Sequence, residues 1–460
     1  MTLVPVAADG VTDDSAMINA VLADPATSVA ELPAGVVGLG AAVVLPSGKM
    51  LVGAGRELTR LLALPSFVHN VVVASSIGAR GVGVSDLTID GNKVGRDGGL
   101  TARVNGLQMT LARRFWVRRV DVRNCTGYGH YVTGDANDFS EMASDGAWED
   151  CRAANCEIHF EQMFSEHITL INCHSRDGEG DLNCHSWFHP VVGSRNILYL
   201  GCSGRGRAGA GIEATANVRD LERIRFVACD IHVTTGTTAL VTSAGVGRTD
   251  GLELIATRIR SELGIGAQLH NTEASAVQCS ISGHGEALQV RNGSLLTATS
   301  TDVLGVADAD AGNTAIGVNL DATSHVRWIG GSIEALGQAR QRVPIYGAVA
   351  NAEISDSTRI VPGRLRVYKV QEIYGLASIQ QDGATTAFAN IVVPAPVSNV
   401  DRAHLDFSIR KSADRYTADK IGASWSWMNN QTIRVRLAGD GTLPATAKLA
   451  YHFVEWGERP

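Results

Sequence analysis

The sequence predicts an all-β chain wound into a right-handed, single-stranded parallel β-helix, with an N-terminal capping helix and a small C-terminal β-sandwich. Three observations carry this expectation. A degenerate motif of apolar-x-apolar, then a small residue or Asn, then Cys recurs down the middle of the 460 residues. A second stretch of alternating apolar and polar residues follows each copy after a Gly-rich turn. The composition, with 50 Gly, 45% hydrophobic and only 5% aromatic residues, suits many tight turns and small inward side chains.

Residues 1–40 read as the cap. DGVTDDSAMINAVLADPATSVAELPAG places Asp13 or Asp14 at a helix N-cap, with Met17, Ile18, Val21 and Leu22 on one apolar stripe. LPAG then opens the first strand.

Residues 41–361 carry the repeat. Its copies are VDVRNC ending at Cys125, WEDC at Cys151, ITLINC at Cys173, ILYLGC at Cys202, IRFVAC at Cys229, LELIAT at Thr257 and ASAVQC at Cys279. Successive anchors lie 22 to 29 residues apart. A short strand plus turn at that period is one coil of a solenoid, whose apolar face is buried only against its neighbours. The anchors then form an inward column. Free Cys packs there as a small hydrophobe, which accounts for the cysteines without disulfides or a zinc site.

The second strand of each coil is expected at 127–134, 155–162, 180–187, 209–216, 236–243, 264–271 and 285–292. Alternation points Ile158, Phe160, Leu182, Cys184, Ile212 and Ala214 inward. It sends His159, Glu161, Asp181, Asn183, His185, Glu213 and Thr215 outward onto one face.

The opening DGVTDD, a short helix and then LPAG resembles the start of the pectate-lyase-like right-handed parallel β-helix superfamily, which includes phage tailspikes and tail-associated depolymerases. DLTIDGN at Asp86–Asn92 is similar to an early coil of such proteins. The resemblance implies a carbohydrate-active protein of a phage particle, a virion or extracellular location and a homotrimer. It does not choose among hydrolase, lyase and binder, because the superfamily holds all three. Residues 362–460 alternate in segments such as AHLDFSIRK and KLAYHFVEW and read as a β-sandwich covering the open end of the solenoid.

The chemistry is sought on the outward face. Glu161, Asp181 and Glu213 are expected on three successive coils at one height, while later coils carry Val241, Gln268, Gln289 and Asn319 there. Carboxylates on adjacent coils would stand ~5 Å apart and on alternate coils ~10 Å apart. These spacings bracket the retaining and inverting glycosidase geometries, and close acids split their pKa values into a donor and an ionised partner. The expected activity is therefore glycoside hydrolysis of a cell-envelope or capsular polysaccharide, with Glu161, Asp181 and Glu213 catalytic. His159, Asn183, His185, Trp187, Arg205, Arg207, His130 and Tyr131 are the expected substrate contacts, with Trp148, Phe188 and His189 as further stacking surfaces.

Hydrolysis needs no cofactor or metal, and none is expected. β-Elimination is the alternative, with His130, Tyr131, His185, Arg205 or Arg207 as base or uronate neutraliser, and Ca²⁺ held by the three acids. A glycan-binding protein without catalysis is the third reading, and a merely solvated acidic face is the background to all three. The net charge of -7 does not favour a nucleic-acid partner. No stretch approaches the ~18 apolar residues of a membrane span. MTLVPVAADG lacks the pattern of a secretory signal, and reduced cysteines suit synthesis in a reducing compartment.

Overall fold

The computed structural model describes residues 1–96, 103–135, 141–176, 184–242, 246–307, 314–337 and 341–361, and beyond these the strands of a C-terminal unit. Contacts divide the chain into Met1–Pro362 and Gly363–Pro460. The first unit is a right-handed parallel β-helix. Each full coil gives one strand to a twelve-stranded parallel sheet, which runs from Val43–Leu45 to Gln341–Gly347. The rest of each coil builds a 24-stranded sheet bent around the other sides. Register is kept from coil to coil, so that Ile168, Ile197, Ile224 and Leu252 stack in one column.

The Cys motif marks the corner between the two large-sheet strands of a coil. The residue before each anchor has left-handed backbone: Asn124, Asp150, Asn172, Gly201, Ala228, Ala256 and Gln278 lie at φ 55, 52, 49, 63, 52, 49 and 53°. Gly, Asn and Asp tolerate that region best, which explains their recurrence before Cys. The carbonyl two residues before the anchor accepts a backbone N–H of the preceding coil, as Ile171 O does from Asp150 N at 2.9 Å and Ile255 O from Ala228 N at 2.8 Å, and the anchor's own side chain adds a second donor to it. The Cys173 thiol donates to Ile171 O at 3.6 Å and to Trp148 O of the preceding coil at 3.7 Å. The Thr257 hydroxyl makes the same pair to Ile255 O and Phe226 O, both at 3.0 Å. Thr301 continues the column with bonds to Thr299 O and Ala276 O. The column is thus selected for a small donor as well as for size, and Thr is the natural substitute for Cys. All eight cysteines are buried, and none forms a disulfide.

At the N-terminus the helix spans Ser15–Ala23 and buries Ser15, Ile18 and Leu22. The expected stripe is narrower than drawn, because Met17 is exposed. Asn19 covers the open edge of the first strand of the twelve-stranded sheet, donating to Ala42 O and accepting from Val44 N, both at 2.9 Å. Asp14 is the N-cap residue, yet its carboxylate accepts from Ala7 N and Ala8 N and ties the entering chain to the helix. Asp90 of DLTIDGN is a buried anchor that accepts from Arg60, Arg123, Asn124 and the Asn92 amide.

The interior of the middle coils is aromatic. His130, Phe160 and Phe188 stack face to face, with centroids 4.7 and 5.4 Å apart, and Tyr199 stacks on Phe226 at 4.2 Å. The C-terminal unit contains two four-stranded antiparallel sheets, which include Ala403–Lys411 and Lys448–Glu458 in one and Ile421–Asn429 in the other.

Candidate active site on the twelve-stranded face

One outward column of this sheet collects the polar groups. Pairing places Tyr131, Glu161 and His189 side by side on three coils. Phe188 pairs with Ile212, which sets His189 beside Glu213. The column continues through Val241, Gln268, Gln289, Asn319 and Tyr346. Charge is confined to its middle.

The residue between Glu161 and Glu213 is therefore His189, where sequence spacing placed Asp181. The strand of that coil is Ser186–Val191, displaced toward the C-terminus from the expected 180–187. Asp181 and Asn183 lie outside the described residues. The signal that could have found His189 is the Cys173 to Cys202 interval, the longest in the series. An insertion in that coil had to shift its strand.

Burial corrects five other expected contacts. His130, His159 and Trp187 are fully buried, as are Trp148 and Phe188, so they build the core and present no surface to a ligand. Strict alternation fails at His159 because the strand starts at a corner, where two successive side chains face inward. Neighbouring coils carry glycine there, and a Cβ on Gly129 would already touch Ala153 and Cys156 at 3.4 Å. His159 and Trp187 fit because the facing strand is small: His159 Nδ1 bonds the Ser175 hydroxyl, and Trp187 covers Gly204. Arg205 and Arg207 lie on Ser203–Arg207 of the large sheet, a different sheet from Glu213. Tyr131 and His185 do reach the site.

Glu161 is only 2% exposed and accepts from His189 Nδ1 at 2.6 Å. The other ring nitrogen of His189 lies 3.3 Å from the Thr215 hydroxyl, which donates to Glu213 Oε1 at 3.4 Å. His185 Nδ1 stands 3.0 Å from Glu213 Oε2, with its side chain 61% exposed. Every donor in the chain from His189 through Thr215 points toward Glu213 when His189 is an imidazolium.

The electrostatics agree. Burial opposes a charge on His189, but the carboxylates of Glu161 and Glu213 outweigh it and hold its pKa above the ordinary imidazole value. The contact with Glu213 raises His185 against a smaller burial effect. Burial would raise Glu213, yet His185, His189 and Thr215 together bring it below the ordinary carboxylate range. Burial and the charge of Glu161 push Tyr128 up to about 12.

The site thus offers an ionised carboxylate at Glu213, an accessible imidazolium at His185, and a buried Glu161–His189 pair behind them. This is an acid–base pair with a fixed support. Among the described residues no group of three His, Cys, Asp or Glu is placed to hold a metal.

No family model matches the chain. It is 24% identical over 229 residues to the preneck appendage protein of Bacillus phage PZA, a match covering 45% of this chain and 26% of that protein. The pre-neck appendage protein of Bacillus phage phi29 matches to the same extent, so the chain corresponds to about a quarter of its curated relatives. Among solved structures, the A-module of a mannuronan C-5 epimerase from Azotobacter vinelandii superposes with TM-score 0.56 at 17% identity, covering 78% of this chain and 98% of that one. The N-terminal fragment of bacteriophage phi29 gene product 12 gives 0.53 at 16% identity, covering 78% and 70%. The shared feature is the fold, a parallel β-helix.

Proposed function

We propose that this parallel β-helix is a polysaccharide-acting protein of a phage particle, which cleaves a bacterial envelope or capsular glycan at the Glu161–His189–Glu213 column. The observation that carries the reading is the exposed His185, with Nδ1 3.0 Å from Glu213 Oε2, a contact that raises the pKa of His185 and lowers that of Glu213. Glu213 acts as the base that activates water at the anomeric carbon, and the His185 imidazolium donates its proton to the departing glycosidic oxygen. Substrate entering between them replaces their ion pair. Glu161 and His189 hold Glu213 ionised and in place, so Glu161 is a positioning residue in this scheme, where paired-carboxylate chemistry would have made it the acid. The phage assignment is supported by the appendage-protein relatives. An ordinary polysaccharide needs no metal for this step.

β-Elimination is favoured by one observation: the exposed His185 could neutralise a uronate carboxylate while Glu213 removes its α-proton. Screening the purified chain against a panel of bacterial polysaccharides, with mass analysis of products, tests the reading. Hydrolysis adds water to each cleaved bond, whereas elimination leaves an unsaturated uronate that absorbs in the ultraviolet. Glu213→Gln should abolish turnover and leave binding within a few-fold. Full turnover in that variant overturns the site, and binding without turnover in the native chain makes the protein a receptor-binding module.

A further inference from the structure

Charges that face each other across coils of the large sheet mostly alternate in sign. Glu166, Arg195 and Glu222 form one such row, with Arg195 and Glu166 2.7 Å apart. Arg118 faces Glu149, Asp230 faces Arg258, and Arg225 faces Glu253. Opposite signs across parallel strands are stabilising and like signs destabilising, so this is the expected pattern for a bare surface.

One row breaks it. Arg176, Arg205, His232 and Arg260 stand directly opposite one another on four successive coils. The three arginines are exposed. Arg207 follows Arg205 on the same strand, with its guanidinium on the Thr235 hydroxyl. Glu262 answers the far end, 2.7 Å from His232 and 3.6 Å from Arg260. Among the described residues no carboxylate lies within ion-pair distance of Arg176 or Arg205. A run of like charges at ~4.8 Å intervals raises the energy of the free protein, and an anionic partner removes that cost.

We propose that this row is a binding track for an acidic polysaccharide, laid parallel to the helix axis with its anionic groups on Arg176, Arg205 and Arg260. The geometry suits a polymer carrying one charge per sugar ring, because each ring of an extended chain advances by a step comparable to one coil. Guanidinium forks grip carboxylate or sulfate groups in two-point fashion, which a lysine row would not do. The overall charge of -7 repels polyanions at a distance, so capture depends on this local row. Duplex DNA presents a charge every ~1.7 Å and calls for a broader cationic face than one column. The track lies on the other sheet from Glu213 and stands whether or not that site cleaves glycan.

Titration calorimetry with the full chain tests it, using polygalacturonate, its highly methyl-esterified form and a duplex DNA of equal charge. Polygalacturonate should bind, weaken with added salt, and bind about tenfold or more less tightly to the combined Arg176→Gln, Arg205→Gln, Arg260→Gln variant, from three exposed ion pairs lost together. Arg→Lys at the same positions should keep part of the affinity, and the esterified polymer should bind poorly. Arg225→Gln, on the same sheet but outside the row, should bind polygalacturonate as the native chain does, and because the assay reads binding alone its outcome is separate from that of the cleavage site. The proposal falls if polygalacturonate does not bind, if the ester binds equally, if a normally melting Gln variant keeps full affinity, or if DNA binds more tightly through the same arginines. Should the Gln variant fail to fold, the ester and salt comparisons decide.

Discussion

His130 turns the interior of the solenoid into something that acid should weaken. Its ring lies flat on Phe160, 3° from parallel, and its Nε2 sits 3.0 Å from Arg152 O. Burial pushes its pKa from 6.5 down to about 4. Because the folded value lies below the unfolded one, the unfolded chain takes up the proton first as pH falls. Stability is therefore lost below about pH 6.5, and the loss levels off near the folded value. From pH 7 to pH 5, at ~1.4 kcal/mol per unit, this one group favours unfolding by about 2 kcal/mol. His130→Phe keeps a flat ring in the stack and removes the titration, while forfeiting the bond to Arg152 O at a cost of about 1 kcal/mol. The variant should be the less stable protein at pH 7 and equal to or more stable than the native chain at pH 5. Urea unfolding of both proteins at both pH values measures the difference directly, free of other titrating groups. A stability difference that is the same at pH 7 and pH 5 refutes the assignment of a neutral, buried His130.

Thr257→Val should cost about 1 kcal/mol by removing the hydroxyl that donates to Ile255 O and Phe226 O while keeping the side chain's shape, whereas Thr257→Cys should cost well under that, as denaturant midpoints will show. Gly204→Ala should destabilise by ~1 to 3 kcal/mol, since its Cβ would lie 2.2 Å from the Trp187 ring, and loss of near-ultraviolet dichroism would report the displaced indole. His189 has a folded pKa raised above its unfolded value, so its stabilisation is full below about pH 6.5 and fades as pH rises through the folded value. Glu161→Gln should then destabilise more at pH 6 than at pH 9 in parallel melts. Cleavage should persist above pH 6.5, because His185 stays protonated there, and fall only when His185 deprotonates or, far on the acid side, when Glu213 is protonated. A rate profile that falls already at pH 5 would contradict Glu213 as the base.

The coil corners are legible from the chain because they combine two local demands. The residue before the anchor must tolerate left-handed backbone, and the anchor must be a small donor, so Asn-Cys, Gly-Cys and Ala-Thr recur visibly at Cys173, Cys202 and Thr257. The outward height of Val241, Gln268, Gln289 and Asn319 follows from the same register. Where coils differ in length, the local sequence no longer sets the register. The insertion before Ser186 shifted one strand relative to its neighbours, and a displaced strand changes which residue meets Glu161. Strand alternation also assumes that every residue stands on a flat sheet, and His159 stands on a corner.

The sequence by itself determined the solenoid, its cysteine column and the two carboxylates of the site, since each depends on residue type at a repeated local position. Only the tertiary structure decided that His189 lies between Glu161 and Glu213, that Trp187 fills the space above Gly204, and that Arg205 belongs to a cationic row on another sheet. Those facts depend on how neighbouring coils pair, and pairing is set by burial summed over whole coils, which no single stretch of chain contains.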